Sequence, residues 1–430
     1  MRKILLIILL TLFFIAPAFA VTLIDALNET FKNNTELNAE RENIKVSKED
    51  LKISKSNYLP SASITGSKSH ENTRRLTNQG GSDAAVEDVD PLSTSITIEQ
   101  TLLDFGRDAE YQKNKIGLEL AKTKFLKKEQ DVLYKAVDAY TGLILANEKF
   151  KINERNLNLL KRQFETDQIR LERGQITVSD LSQSESFLAG AQAQFIQAKN
   201  DVVTNKLNYE NIIGKISNPN SLIKSSKSIV SVPQSLSNAI DLSKKNNPDI
   251  TIAKFELEQS EKDVEIANSD LSPTATLSFE KSYSDDFNST YDQREKDVLK
   301  ATLSWPFYSG GKKRATISKN QSIKTRKRLL LDNAIKTNET NVASAWSNFQ
   351  SSESFLASVR LQVKAAKIAN EGIAAEYERG SRTTLDVIQS NTLLLNAQIS
   401  LANSERNYLL AQYNLLKSIG LLNSNYLKLK

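Results

Sequence analysis

Few side chains in this sequence could carry chemistry, and their types and spacing defeat most of it. One histidine, His70, and no cysteine occur among 430 residues. A metal centre built from several imidazoles or thiolates of one chain is therefore impossible, and so is a disulfide. His70 lies in a polar stretch and reads as a solvated loop residue, not a general base. Gly310-Gly311-Lys312 has the residue types of a phosphate loop without the remaining spacing, and no nucleophile elbow is present. The many Asp and Glu residues read mostly as solvated helix faces. The net charge is +6, with Arg2 and Lys3 supplying two of it and both signs interspersed along the chain. That pattern argues against a nucleic-acid partner. No catalytic residue, cofactor or resident metal is expected, so the chain does not read as an enzyme.

The elements around these residues say more, because the chain repeats itself. Ala26-Leu27, Asn33-Asn34 and Tyr58-Leu59-Pro60-Ser61-Ala62 return as Ala239-Ile240, Asn246-Asn247 and Leu271-Ser272-Pro273-Thr274-Ala275. Glu172-Arg173-Gly174 matches Glu378-Arg379-Gly380, and Asp180, Gln183, Ser184 and Ile213-Gly214 match Asp386, Gln389, Ser390 and Ile419-Gly420, all at one offset of 206 residues. Solenoid units are a few tens of residues long, so this is a duplicated half-protein instead. The expected organisation is a signal peptide at 1–20, repeats at 21–214 and 235–421, a polar linker at 215–234 and a short tail at 422–430. The signal is read from Arg2-Lys3, the apolar run Ile4–Ile15 and the small-x-small site Ala18-Phe19-Ala20.

All eight prolines avoid 92–218 and 307–430, which are rich in Ala, Leu, Lys, Glu, Gln and Asn. From Arg107 to Arg173 only Gly117 and Gly142 interrupt a helical pattern, and a helix of that length runs about 100 Å. Val342, Phe349, Leu356 and Val363 recur every seven residues, with Ala345, Val359, Ala366 and Ile373 on partner positions. Ile388, Leu395, Ala402, Leu409 and Leu416 keep the same step. A seven-residue apolar period specifies side-by-side helices with left-handed supercoil. The helices alone also fit a coiled-coil spacer or adhesive surface protein without channel activity.

Four segments alternate with period two. They are 61–67, 92–102, 274–284 and 297–307, joined in pairs by polar loops at Ser69–Pro91 and Asp285–Lys296. Leu92, Ile96, Ile98 and Leu102 share a face opposite Ser93, Ser95, Thr97, Glu99 and Thr101; Leu299, Ala301, Leu303, Trp305 and Phe307 oppose Lys300, Thr302 and Ser304. Their length, about ten residues, suits outer-membrane strands. A soluble sandwich alternates in the same way, and it is the position of each hairpin between very long helices that favours the membrane. Barrel closure takes about eight strands or more, so several chains must contribute, and three would give twelve.

Strand pairs set between long helices, duplicated and behind a signal peptide, resemble the TolC family of outer-membrane efflux and type I secretion channels. The resemblance spans roughly 22–421. It is strongest at Leu102-Leu103-Asp104-Phe105-Gly106-Arg107, Phe307-Tyr308-Ser309-Gly310-Gly311-Lys312, and the turns following Glu172 and Tyr377. It implies a mainly α fold with a β-barrel part: a homotrimer with a twelve-stranded barrel in the outer-membrane lipid and a helical tunnel across the periplasm. It also implies docking to a periplasmic membrane-fusion adaptor and an inner-membrane pump, with this chain as a passive conduit.

The same resemblance assigns residues. Gly174, Gln175, Gly380 and Ser381 become the adaptor-docking turns. Asp180, Tyr377 and Arg382 become polar links closing the periplasmic end, and Asp386 an acidic ring in the lumen. Gln389 stands where relatives often carry a second acid, which implies weaker cation selection. The plainer alternative is that Asp180 and Arg382 make ordinary surface ion pairs. The cargo, protein or small molecule, is not fixed by any of these residues; the lack of a cysteine for lipid anchoring leans toward the secretion branch by analogy.

Overall fold

The computed structural model describes residues 21–74, 86–216, 218–224, 231–288 and 291–429. The expected signal segment lies outside them. In chain order the elements are α1 (Leu23–Asn33), α2 (Thr35–Ser56), β1 (Ser61–Lys68), β2 (Glu71–Arg74), β3 (Val86–Val89), β4 (Leu92–Leu103), α3 (Arg107–Glu172), α4 (Val178–Ile212), α5 (Leu236–Asn246), α6 (Pro248–Ser269), β5 (Thr274–Asn288), β6 (Tyr291–Ser304), α7 (Lys312–Glu378), α8 (Thr384–Ser418) and α9 (Ser424–Leu427). The described residues form two compact units, one from within 21–41, 124–250 and 334–429, the other from within 42–123 and 251–333, so each unit draws on both halves of the duplication.

The second unit holds an antiparallel sheet in the order β1-β4-β5-β6, whose β4–β5 pairing joins the two sequence halves. Pro60, Pro91 and Pro273 directly precede β1, β4 and β5, and Pro306 follows β6. A residue without an N–H is tolerated at a strand's edge and not inside a ladder, so these prolines set the sheet's limits. Strand pairing departs from the sequence expectation in two places. The loop expected at Asp285–Lys296 is largely strand, with β5 and β6 paired as far out as Asn288↔Tyr291. Its charged residues hid it, since a paired strand needs no apolar face once both faces meet water. Within the loop expected at 69–91, β2 and β3 form a separate two-stranded ladder. The last strand stops at Ser304, short of Phe307.

Helices of this unit pack through small residues and ion pairs. Ala109, Ala121, Ala267, Ser54 and Ser260 are buried, while Lys113–Asp263 (2.6 Å) and Lys327–Glu256 (2.7 Å) bridge neighbouring helices. Gly117 and Gly142 do not break α3. In the first unit, a Cβ on Gly142 would meet the Asn205 amide oxygen at 2.9 Å, so that glycine permits close helix approach.

The first unit is built on the heptads. Val342, Ala345, Phe349, Leu356, Val359 and Ala366 of α7 are buried, as are Ile388, Leu395, Ala402 and Leu416 of α8. Tyr140, Tyr209 and Tyr413 join Leu23, Ala26 and Leu27 of α1 in its main core. The repeated Asn-Asn pairs have a shared task. Asn34 Oδ1 accepts from the N–H groups of Glu36 and Leu37 to start α2, and its Nδ2 donates to the Ile212 carbonyl. Asn247 does the same for α6, donating to the Ser418 carbonyl (2.9 Å). One side chain thus caps a short helix and ties down the end of a long one. The tail is part of this core: Leu422 and Leu427 are buried, and the Ser424 N–H donates to the buried Glu129 carboxylate, whose pKa burial pushes up. Among the described residues no helix is long and apolar enough to cross a membrane.

Candidate functional site

Two tight turns, α3–α4 and α7–α8, carry every residue singled out for docking and gating. Both are built alike. Gly174 (φ +69°) and Gly380 (φ +79°) adopt the left-handed conformation that ends a helix. Gln175 N–H donates to the Arg170 carbonyl and Gly174 N–H to Leu171; Ser381 and Gly380 repeat this to Glu376 and Tyr377, all at 2.9 Å. Nothing stands within 4 Å of a Cβ placed on either glycine, so both turns are open to an approaching surface.

Three residues after each glycine a threonine starts the next helix. Thr177 Oγ1 accepts from Asp180 N–H while the Asp180 carboxylate accepts from Thr177 N–H (2.9 Å) and Oγ1 (2.8 Å). Thr383 and Asp386 form the same reciprocal box. These backbone hydrogen bonds hold both carboxyls below the usual carboxylate range. Arg382 Nε donates to Glu376 (2.6 Å), which raises the already high guanidinium pKa. Gln389 is exposed. Within one chain, then, no hydrogen bond or ion pair among the described residues joins Asp180 to Tyr377 or Arg382.

Tyr377 is engaged elsewhere, by a residue the sequence reading missed. Its hydroxyl donates to Asp167 Oδ1 (3.3 Å) and accepts from Gln163 Nε2 (2.9 Å), and the Arg170 guanidinium lies 4.4 Å from its ring centroid. Asp167 is 0% exposed. It also accepts from Thr384 Oγ1 (3.2 Å), Ser184 Oγ (2.5 Å) and Gln163 Nε2 (3.1 Å). Donors from α3, α4, α7 and α8 thus converge on one buried carboxyl group, which satisfies its hydrogen-bonding capacity away from water. The signal was present in the sequence. Val132, Ala139, Ala146, Asn153, Leu160 and Asp167 follow every seven residues and are all buried, so the acid occupies a core slot of the α3 heptad.

The sheet has the inverse of a soluble protein's faces. Cross-strand rows place Ala62, Ile98, Phe279 and Leu299 side by side, and Ile98 (42%) and Leu299 (72%) are exposed. The opposite face pairs Glu99 with Ser278 and Ser278 with Lys300, and Thr101 with Thr276 and Thr276 with Thr302. Trp305, Phe307 and Tyr308 extend the exposed apolar surface beyond β6. Apolar side chains turned out and polar ones turned in is the pattern of a wall between lipid and water. Neither β1 nor β6 has a second partner among the described residues, which leaves one open edge on each. No three His, Asp or Glu side chains among the described residues come together as a metal site.

Residues 26–215 and 239–421 match the family model described as outer membrane efflux protein. The chain is 28% identical over 416 residues to the outer membrane efflux protein BepC of Brucella suis biovar 1, covering 96% of this chain and 88% of that one. It is 24% identical over 420 residues to the alkaline protease secretion protein AprF of Pseudomonas aeruginosa, covering 96% and 87%. Among solved structures it is similar to the Campylobacter jejuni CmeC outer membrane channel, with a TM-score of 0.80 at 16% identity over 93% of this chain and 85% of that one.

Proposed function

The chain belongs to the outer membrane efflux protein family, the TolC family, and from that premise we propose how this outer-membrane efflux or secretion channel is assembled and closed. Three copies contribute four strands each to one closed barrel, with α3, α4, α7 and α8 lining a tunnel in the periplasm. The repeats at 21–214 and 235–421, joined through 215–234, give that wall its pseudo-symmetry. The chain is a channel rather than an enzyme. It acts as a passive conduit, with energy supplied by an inner-membrane pump linked through a periplasmic adaptor.

The observation that carries this reading is the inverted sheet with its two open edges. Unpaired amides cannot be left in lipid, because each costs several kcal/mol there. A four-stranded sheet with an exposed Leu, Ile and Phe row is stable in a membrane only when other copies close it. Purified protein in mild detergent is therefore a trimer by mass, recovered from outer membranes. A monodisperse monomer, or recovery in the soluble periplasmic fraction alone, refutes the assembly.

Adaptor docking falls to the open turns at Gly174-Gln175 and Gly380-Ser381. Ser381→Trp, which adds bulk at an exposed position beside Gly380 and leaves the left-handed glycine in place, blocks export while trimers persist; normal export in that variant removes the docking assignment. The gate consists of Asp180, Tyr377 and Arg382, with Asp386 as the acidic ring and Gln389 leaving it single. Three Asp386 carboxylates about a narrow axis concentrate negative potential and favour cations.

A further inference from the structure

Tyr377 has one proton to give, and in this structure its hydroxyl lies 3.3 Å from both Asp167 Oδ1 and Thr384 Oγ1, with Thr384 itself donating to Asp167. We propose that Asp167 is a positioning residue, the second acceptor in a two-position switch: Tyr377 bonds Asp180 when the gate is linked and Asp167 when it is released. The inference rests on the gate reading above and adds the state that gate opens into. Each of the three link residues has an alternative partner inside its own chain. Asp180 is held by Thr177, Arg382 by Glu376 and Tyr377 by Asp167. Of these, only the phenol must choose, because a carboxylate accepts several hydrogen bonds and a hydroxyl donates one.

The Asp167 position is built to compete. Gln163 and Ser184 orient the carboxylate from the first hairpin, Thr384 from the second, and Arg170 covers the Tyr377 ring from α3. A polar group in a core heptad slot specifies which faces meet at some expense of stability. Here it specifies where the α7 end rests against α3. Replacing the acid alone leaves the Gln163, Ser184, Tyr377 and Thr384 donors without their acceptor and lowers stability as well. The Tyr377→Phe background is therefore what separates gating from stability.

The test is the potassium chloride current of purified full-length trimers in planar bilayers, with thermal melts alongside. Asp167→Leu removes the released position, so the open-to-closed ratio falls about tenfold, the worth of one hydrogen bond to a charged group. Its melting temperature falls as well, because buried donors lose their acceptor, so currents are compared at a temperature where gels show the trimer intact. Asp167→Asn, which keeps the shape, falls less. In a Tyr377→Phe background neither substitution changes the current further. An unchanged or increased current in both Asp167 variants overturns the switch, as does an effect that persists without the Tyr377 hydroxyl. Asp180→Ala with Arg382→Ser tests the underlying gate separately. If that pair raises the current while the Asp167 variants do nothing, the gate stands and the switch falls; if the pair also changes nothing, both fall.

Discussion

Leu299→Arg distinguishes a lipid-facing sheet from a sheet in water. Leu299 is 72% exposed and lies in the row Ala62, Ile98, Phe279, Leu299. In water, an arginine at so open a site is nearly neutral, within about 0.5 kcal/mol. On the lipid face of a barrel it costs roughly 2–4 kcal/mol near the bilayer midplane. Three copies raise that to roughly 6–12 kcal/mol per trimer, comparable to the whole stability of a domain. Val298→Arg is the matched control at the same depth, one residue away on the polar face and opposite Glu280. The assay is folding into lipid vesicles followed by gel separation of trimer from monomer across a urea series. Leu299→Arg should lose most of its trimer under conditions where Val298→Arg keeps it. Equal trimer yields and equal urea midpoints would refute the face assignment, and with it the barrel.

Gly420 has φ +82°, and a Cβ there would stand 2.3 Å from the Asn246 carbonyl oxygen, so Gly420→Ala should prevent stable trimer, measured by gel after membrane extraction. His70 lies 2.9 Å from Asp90 and 3.6 Å from Asp88, which raise its pKa above 6.5. Its contribution to the β2–β3 region is complete below the unfolded pKa and lost as pH rises through the folded one. As the sole histidine it gives a single imidazole NMR signal; a midpoint at or below 6.5 would contradict the pairing. Asp386 is the reverse case, since its lowered pKa stabilises the α8 start above the carboxylate range and that support is lost as pH falls through the folded value. Thr383→Ala removes this cap at about 1 kcal/mol per chain and moves the Asp386 midpoint upward, read by carboxyl NMR. Asp386→Ala should shift the reversal potential in a salt gradient toward lower cation preference.

Much of this fold is legible because its repeats are set by strong, local physics. Heptads from Val342 to Ala366 fix which side of α7 is buried, and Gly174 and Gly380 are the glycines that a left-handed helix end requires. The prolines at 60, 91, 273 and 306 bracket the strands for want of an N–H. What escaped reading depends on partners far away in sequence. The outer parts of β5 and β6 carry Asp, Gln, Arg, Glu and Lys, and only their mutual ladder makes them strands. The tail's place in the core follows from Glu129, nearly three hundred residues earlier. Asp167 looks like any acid on a helix until its heptad is counted back to Val132, and its donors come from three other helices as well as its own. The box partners of Asp180 and Asp386 were visible as Thr-x-x-Asp, yet the motif names a helix start before it names a gate.

Single-channel current in planar bilayers tests the central claim most directly, because it asks at once whether the trimer spans, conducts and is gated at its helix turns. The wild-type trimer should insert in discrete conductance steps, and Asp180→Ala with Arg382→Ser should enlarge each step without changing the oligomer. A verified trimer that inserts into vesicles yet passes no current, in wild type and in the double variant alike, would contradict the account.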